Sequence, residues 1–224
     1  MGSWEIVSAA GELVVTCTLA GGIAAALAAR RAWRRLHCWC LLFGAAMALV
    51  VASKLAFLGW GLGVPALHFT GISGHAARAA AVFPALAWVL MQPGSRRRAA
   101  VAAAALLALL VGVARVQVQA HSASEVLAGC LLGWSAAAAF IWQARGWQPP
   151  QRGPAPLVLC LPLVLLLGCA RPAPTQVWLR SAALFLSGRE PSAVRAPDWT
   201  GQPASRAAGL FSPSHSQASL PRKP

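Results

Sequence analysis

Long apolar runs separated by short arginine clusters dominate residues 1–170 of this chain and constrain its fold more than any other feature. A helix needs about 20 apolar residues to cross the hydrocarbon core of a bilayer. Hydrophobic residues fill 58% of the 224 positions and charged residues only 11%, whereas soluble domains carry about 25% charged residues. We therefore expect an all-α, polytopic membrane helix bundle with about six transmembrane helices. The predicted spans are Ile6–Ala29, Trp39–Trp60, Gly74–Met91, Ala99–Val113 with its continuation to Gln119, Val126–Trp142 and Leu157–Ala170.

The arginine clusters predict the orientation of the bundle, because short cytoplasmic loops carry an excess of Lys and Arg. The clusters follow the first, third and fifth predicted spans, so these loops should face the cytoplasm and the N-terminus should lie outside. They comprise Arg30, Arg31, Arg34, Arg35, Arg96, Arg97, Arg98, Arg145 and Arg152. Glu5 and Glu12 stand where a cleavable signal peptide would carry basic residues, so we expect none. The arginine-rich and alanine-rich composition favours a bacterial inner membrane.

The net charge of +14 does not indicate a nucleic-acid partner, because the basic residues lie in short clusters between apolar runs rather than on a polar surface. Residues 1–170 form the predicted membrane domain. Residues 171–204 form a polar tail in which Gln176–Ser187 is predicted to be an amphipathic helix on the membrane surface. Residues 205–224 are predicted to be disordered. No pattern indicates the oligomeric state.

Ionisable residues inside or beside the spans interrupt the apolar pattern, and they gather at one end of the bundle. A charge at the centre of a membrane helix costs about 2.5–3.5 kcal/mol, so such residues are functional candidates. Under the topology above, all of them meet at the outer boundary. The candidates are Lys54 at the end of the second span, Ser73, Gly74 and His75 at the start of the third, and Arg115, His121 and Glu125 around the start of the fifth.

The chemistry of these side chains is complementary. Lys54 and Arg115 offer fixed positive charges, and the planar guanidinium suits phosphate oxygens. His121 and Glu125 are four residues apart on one helical face, so the carboxylate can hold and polarise the imidazole. His75 is a second imidazole on another span. A nucleophile oriented by a carboxylate, a separate acid and a cationic cradle together indicate phosphoryl transfer through a phosphohistidine.

In order and spacing, these residues resemble the motifs of the type 2 phosphatidic acid phosphatase (PAP2) superfamily, in its bacterial membrane-bound branch. The family pattern is K-x6-RP, then PSGH, then SR-x5-H-x3-D, and the resemblance covers roughly residues 37–143. It implies a six-helix membrane phosphatase that needs no metal or other cofactor, with its active site at the outer face. It also implies that His121 attacks phosphorus, that Glu125 orients His121, and that His75 protonates the leaving alkoxide. The implied phosphate-binding residues are Lys54, Ser73, Gly74 through its N–H, and Arg115.

The chain departs from the family pattern in each of the three motifs. The departures are Gly61-Leu62 for Arg-Pro, Ile72 for proline, Ala114 for serine and Glu125 for aspartate. The glutamate keeps the negative charge on a longer arm, but the first motif loses a phosphate-binding arginine. Arg78, one turn beyond His75, is the candidate auxiliary residue that replaces this arginine.

Two functions remain open at this point. The first is an integral membrane phosphatase acting on a lipid phosphate or diphosphate, with membrane lipids as its surroundings. Its candidate substrates are phosphatidic acid, phosphatidylglycerol phosphate, a polyprenyl diphosphate and lipid A phosphate. The second is a catalytically degenerate relative that binds or moves a phosphorylated lipid. The missing arginine favours the second function, whereas the retained His75, His121 and Glu125 argue for the first.

Overall fold

A computed structural model of the chain describes residues 2–148 and 175–188. These residues form seven α-helices and one short 3-10 helix, and no β-strand occurs among them, so the predicted all-α fold is confirmed. The helices are α1 (Ser3–Ala9), α2 (Leu13–Ala29), α3 (Trp33–Trp60), α4 (Gly74–Leu90), α5 (Ser95–Gln117), α6 (Ala123–Gln143) and α7 (Thr175–Ser187), and the 3-10 helix is Pro65–Leu67.

Four helical segments in the described part of the chain are long and apolar enough to cross a membrane, and they correspond to the first, second, fourth and fifth predicted spans. They are Ser3–Ala29, Trp33–Trp60, Ser95–Gln117 and Ala123–Gln143. The chain is therefore a membrane protein. The third predicted span, α4, is apolar but has 17 residues, which rise about 25 Å. The sixth predicted span, Leu157–Ala170, and the predicted disordered tail lie outside the described residues.

The first predicted span is a broken helix rather than a continuous one. α1 ends at Ala9 and α2 begins at Leu13, with a turn between them. Gly11 lies in this turn, and a Cβ atom there would be 3.2 Å from His75 Cβ and 2.6 Å from Val111 Cγ1. The turn is thus pressed against α4 and α5 at a point where no other side chain fits. Tertiary packing sets the break, which is why an apolar run read from the sequence did not reveal it.

α4 is the central helix of the bundle, and alanine makes up most of its buried surface. It packs against α2, α5 and α6. Small residues on the neighbouring helix allow the close approach: a Cβ atom at Gly129 of α6 would lie 2.7 Å from the Ser73 carbonyl oxygen. Packing through small residues is characteristic of membrane helices. As a result, the first turn of α4, with Gly74 and His75, is enclosed by several helices at once.

The loop between α3 and α4 folds back over the same end of the bundle. Val64 and Phe69 pair across it in an isolated antiparallel bridge. The Ile72 N–H donates to Ser53 Oγ of α3 at 3.0 Å. Ser124 Oγ of α6 donates to the Leu67 carbonyl at 2.7 Å. These bonds fix the loop against both helices and bring Thr70 beside the first turn of α6.

α7 occupies the residues predicted to form an amphipathic helix, and it packs against the last turns of α3. Its Ala183 is fully buried. The contact point on α3 is Gly59, where a Cβ atom would be 3.4 Å from the Ala183 carbonyl oxygen. The helix is therefore present as predicted, while its position on the membrane surface stays a prediction.

Candidate active site

His121 and Glu125, the predicted nucleophile and its orienting carboxylate, are in direct contact. His121 Nδ1 lies 2.6 Å from Glu125 Oε2. Glu125 also belongs to the capping box of α6, because its Oε2 accepts from the Ser122 N–H at 3.3 Å and its own N–H donates to Ser122 Oγ at 3.3 Å. Since the carboxylate only accepts, the proton of a neutral His121 belongs on Nδ1, and the lone pair on Nε2 remains available.

Thr70 holds the second oxygen of the same carboxylate. Its backbone N–H donates to Glu125 Oε1 at 2.7 Å, and its hydroxyl donates to the same oxygen. The Glu125 side chain is only 4% exposed. With both oxygens bound, the carboxylate is fixed in its orientation toward the imidazole. The sequence analysis did not find Thr70, which lies 55 residues from Glu125 and in none of the motifs.

The electrostatic setting of His121 favours the neutral imidazole. Burial lowers the pKa of His121 below its usual value of 6.5, and the positive charges of Lys54 and Arg115 lower it further. The hydrogen bond to Glu125 and its negative charge oppose this lowering without reversing it. At neutral pH the ring is therefore uncharged, which is the form that a nucleophile requires.

Six of the predicted site residues line one cavity of about 410 Å³. They are Lys54 from α3, Gly74, His75 and Arg78 from α4, Arg115 from the last turn of α5, and His121 from the loop before α6. In the described part of the chain, three cationic side chains and no carboxylate line this cavity. A concave site with charge of one sign attracts an anion. The cavity thus combines an anion-binding wall with two imidazoles.

The structure does not bring Ser73 and Glu125 to the cavity wall. Glu125 lies behind His121 and acts on the cavity only through it. Ser73 immediately precedes α4 and is fully buried, and its N–H donates to the Glu125 carbonyl oxygen at 3.1 Å. Its hydroxyl has no hydrogen-bond partner among the described residues. Ser73 therefore lies beside Gly74 but behind the lining, and its contact with phosphate stays a prediction.

His75 has a carboxylate partner that the sequence analysis missed. His75 Nε2 lies 3.2 Å from Oε1 of Glu12, which stands at the start of α2. The two residues are 63 positions apart. In the sequence, Glu12 argues only against a signal peptide. A carboxylate within an apolar run was the one sequence signal available for it, since intramembrane ionisable residues are functional candidates.

The N-terminal segment also holds the two arginines of the cavity. Arg115 Nη1 donates to Ser8 Oγ of α1 at 2.9 Å. Arg78 Nε donates to Thr16 Oγ1 at 3.0 Å, and Arg78 Nη2 donates to the Gly11 carbonyl at 3.1 Å. Four polar groups near the turn between α1 and α2 thus bind residues of the cavity, although all the motifs lie later in the chain. They are the Ser8 hydroxyl, the Gly11 carbonyl, the Glu12 carboxylate and the Thr16 hydroxyl.

Arg78, the candidate for the missing arginine of the first motif, lines the cavity and is 9% exposed. Its Nη1 lies next to Gly74, where a Cβ atom would be 3.0 Å away. Gly61 occupies the position of the missing arginine and ends α3 with a φ of 72°, a left-handed conformation that favours glycine. The guanidinium of Arg78 is therefore present in the cavity, and its role as a substitute stays a prediction.

The rest of the cavity lining is apolar. It consists of Leu13, Val50, Val51, Leu55, Trp178, Leu179 and Ala182. Three of these residues come from α7, so the last described helix reaches the same cavity as the two histidines. Within residues 2–148 and 175–188, no group of three or more His, Cys, Asp and Glu side chains is arranged to hold a metal ion.

Comparison with known proteins gives two matches. The family model of the PAP2 superfamily matches residues 60–149, a range that includes both histidines but neither Lys54 nor the N-terminal segment. A protein of Klebsiella pneumoniae, described as an uncharacterized 22.5 kDa protein in the cps region, is 39% identical over 189 residues. That alignment covers 81% of this chain and 90% of the Klebsiella protein. No solved structure shows a significant match.

Proposed function

This chain belongs to the PAP2 superfamily, and from that membership we propose that it is an integral membrane phosphatase that hydrolyses a lipid phosphate or diphosphate through a phosphohistidine. One observation carries the proposal: two imidazoles and three cationic side chains line a single cavity. The cations suit an anionic phosphoryl group, and the neutral His121 suits nucleophilic attack.

The first half of the reaction transfers the phosphoryl group to the protein. His121 Nε2 attacks phosphorus while Lys54, Arg78 and Arg115 bind the phosphoryl oxygens. The bond between phosphorus and the leaving oxygen breaks, and the leaving oxygen keeps the electron pair and takes a proton from His75. Glu125, bound to Nδ1 at 2.6 Å, stabilises the positive charge that develops on His121.

The second half restores the enzyme. The neutral His75 accepts a proton from water, and the resulting hydroxide attacks phosphorus and breaks the bond to His121 Nε2. Inorganic phosphate leaves, and His75 is protonated again for the next cycle. His121 therefore forms and breaks the bond to phosphorus, while His75 gives a proton in the first half and takes one in the second.

The apolar part of the lining supports a lipid as the substrate. The cations of the cavity would bind the phosphate, and apolar residues such as Val50, Leu55 and Trp178 would contact its ester group. A cavity lined by both cationic and apolar side chains matches a molecule with a phosphate headgroup and a hydrocarbon chain. Phosphatidic acid, phosphatidylglycerol phosphate, a polyprenyl diphosphate and lipid A phosphate all meet this description. We propose the bacterial inner membrane as the site and the periplasmic face as the side on which the cavity opens.

Phosphate release from the detergent-purified protein tests the proposal. Phosphatidic acid and a polyprenyl diphosphate are supplied separately, each with and without EDTA. We expect the wild type to release phosphate from at least one lipid and the His121→Ala variant to release none. His37→Ala is the matched control, because His37 is exposed on α3 and its Nδ1 bonds only to its own helix, at the Trp33 carbonyl. Loss of activity with EDTA, or equal loss in both variants, would contradict the mechanism.

A second function is favoured by a specific observation, the glycine at the position of the first-motif arginine. A protein with a weakened cationic cradle would bind or move a phosphorylated lipid without cleaving it. In that case the purified protein would retain radiolabelled phosphatidic acid and release no phosphate. Binding would then survive in His121→Ala, since a binder needs the cations but not the nucleophile.

A further inference from the structure

Both histidines of the cavity lie against carboxylates, although the chain has only five acidic residues. Glu125 is four residues from His121, so its contact follows from helical spacing. Glu12 is 63 residues from His75, and its contact arises only because the turn between α1 and α2 reaches α4. The same geometry thus serves each histidine, but the second pair is built from distant segments.

We propose that Glu12 is the positioning residue of His75, holding the imidazole and its proton in place for delivery to the leaving oxygen. This inference rests on the proposed function, because it assigns His75 the role of the acid. Glu12 itself touches neither phosphorus nor the leaving oxygen. It occupies His75 Nε2 at 3.2 Å, which leaves Nδ1 as the ring nitrogen for proton transfer.

The position of Glu12 is fixed by contacts on both sides of the turn. Gly11 is pressed against the His75 ring, since a Cβ atom there would be 3.3 Å from His75 Cδ2. Arg78 Nη2 binds the Gly11 carbonyl at 3.1 Å. Thr16 Oγ1 donates to the Glu12 carbonyl at 2.8 Å. The Gly11 carbonyl is thus held by α4 and the Glu12 carbonyl by α2. The backbone that carries the Glu12 side chain is therefore fixed beside His75.

The charges around His75 explain why the site needs a carboxylate. Three charged side chains interact electrostatically with His75. They are Arg78 on its own helix, Arg115 on α5 and Glu12 at the start of α2. Both arginines oppose a positive charge on the imidazole, and a proton donor must carry that charge before it gives the proton away. Glu12 supplies the opposite charge at hydrogen-bond distance. A carboxylate that bonds to one ring nitrogen also fixes the orientation of the imidazole and the nitrogen that carries the proton.

Leaving groups of different basicity distinguish positioning of the acid from a structural role. The alkoxide released from an alkyl phosphate needs a proton as the bond to phosphorus breaks, whereas a nitrophenyl phosphate releases nitrophenolate, which is stable as an anion. We therefore compare an alkyl phosphate with a nitrophenyl phosphate that carries an alkyl chain of the same length. Wild type, Glu12→Gln, Glu12→Asp and Glu5→Gln are assayed on both. Glu5→Gln is the matched control, because Glu5 is exposed on α1 and bonds to the Gly2 N–H at 3.0 Å.

For Glu12→Gln, we expect kcat/KM on the alkyl phosphate to fall by about 30-fold, less than the roughly 100-fold or more that acid catalysis contributes, because His75 itself remains. On the nitrophenyl phosphate kcat/KM should change by less than about threefold. We compare kcat/KM rather than kcat, because it reports the first phosphoryl transfer and leaves out the later step in which His75 acts as the base for both substrates. Glu12→Asp should recover part of the loss, and Glu5→Gln should match the wild type on both substrates.

Equal losses of Glu12→Gln on both substrates would overturn the inference and leave the proposed function intact, since His121 would still act. Failure of the wild type to hydrolyse either substrate would overturn both. If Glu12→Gln does not fold, Glu12→Asp decides the matter. A larger loss on the alkyl phosphate than on the nitrophenyl phosphate supports positioning, and equal losses in this variant overturn it.

Discussion

At the residue scale, the protonation of His121 sets the acid limit of activity. Burial lowers the pKa of His121 below 6.5, so its neutral form persists below that pH and activity should decline only under more acidic conditions. The positive charge of Lys54 contributes to this lowering. We therefore expect Lys54→Gln to move the acid limb of the kcat/KM profile to higher pH, together with weaker phosphate binding. The measurement is phosphate release between about pH 4 and pH 8, a range that brackets the usual pKa of histidine.

Lys54→Arg is the control for that profile, because it keeps the positive charge and should leave the acid limb where the wild type has it. An acid limb in Lys54→Gln at the same pH as in the wild type, or at lower pH, would show that the charge of Lys54 does not act on His121.

The second prediction at the residue scale concerns the hydroxyl of Thr70. Thr70→Val removes one of the two Thr70 hydrogen bonds to Glu125 Oε1 and leaves the backbone bond at 2.7 Å. A hydrogen bond to a charged group contributes about 1.5 kcal/mol, so we expect kcat to fall about tenfold with little change in KM. Thr70→Ser should retain most activity. Thr18→Val removes a hydroxyl that bonds only to its own helix, at the Val14 carbonyl, and should match the wild type; a similar loss there would assign the effect to stability.

A contact in the site could be predicted from the sequence only where its two residues are close together in the chain. The contact between His121 and Glu125 spans four residues on one helix, so its geometry follows from helical spacing. The contacts of Thr70 with Glu125 and of Glu12 with His75 span 55 and 63 residues and depend on how loops and helices pack. Spacing rules carry no information about such pairs. A carboxylate in an apolar run was the only sign of Glu12.

At the element scale, the approach of α6 to α4 depends on glycine. A Cβ atom at Gly129 would lie 2.7 Å from the Ser73 carbonyl and 3.1 Å from Ala76 Cβ. Gly129→Ala must therefore push α4 and α6 apart near their first turns, which carry His75 and Glu125. Overpacking of this kind costs about 1–3 kcal/mol. We expect a lower thermal inactivation temperature in detergent and reduced activity. Gly21→Ala, which meets no atom within 4 Å, should show neither change.

A second prediction at this scale concerns α7, which contributes apolar residues to the cavity lining. Trp178 lines the cavity, whereas Phe185 on the same helix is 87% exposed. We expect Trp178→Ala to raise KM about fivefold for a long-chain lipid phosphate, from the loss of about 1 kcal/mol of apolar contact. A short-chain phosphate should show no change, and neither should Phe185→Ala with either substrate. The same KM increase for both chain lengths would mean that Trp178 does not contact the chain.

The length of each apolar run predicted the membrane-spanning helices well, but it did not predict the break between α1 and α2. Four predicted spans coincide with helices of spanning length, because each run of about 20 apolar residues leaves the backbone no better way to satisfy its hydrogen bonds in lipid. The break before Leu13 was not predicted, since the contacts of Gly11 are with His75, Arg78 and Val111, which all lie outside the run. The contact of α7 with α3 was also not predicted, because amphipathic periodicity indicates a buried face without naming its partner.

At the scale of the whole molecule, the bundle has two chemically different ends. The cavity lies at the end formed by the α3–α4 and α5–α6 loops. One arginine cluster, residues 30–35, lies in the α2–α3 loop and the first turn of α3, and the other, residues 96–98, lies in the first turn of α5. Both are at the ends of those helices away from the cavity. Arg97 is bound there to the Trp88 and Trp147 carbonyls. Arginines at one end therefore bind phosphate in our proposal, and those at the other end set orientation.

This division predicts which side of the membrane each end faces. In a variant whose native cysteines are replaced by alanine, Leu67→Cys places a thiol in the exposed 3-10 helix beside the cavity, and Ser95→Cys places one at the exposed start of α5. We expect a membrane-impermeant maleimide to label Leu67→Cys in intact cells and Ser95→Cys only after lysis, because the arginine-rich loops stay in the cytoplasm. Phosphate release by each variant checks that its fold is retained. The reverse labelling pattern would show that the cavity faces the cytoplasm. The substrate would then have to be a lipid phosphate of the inner leaflet.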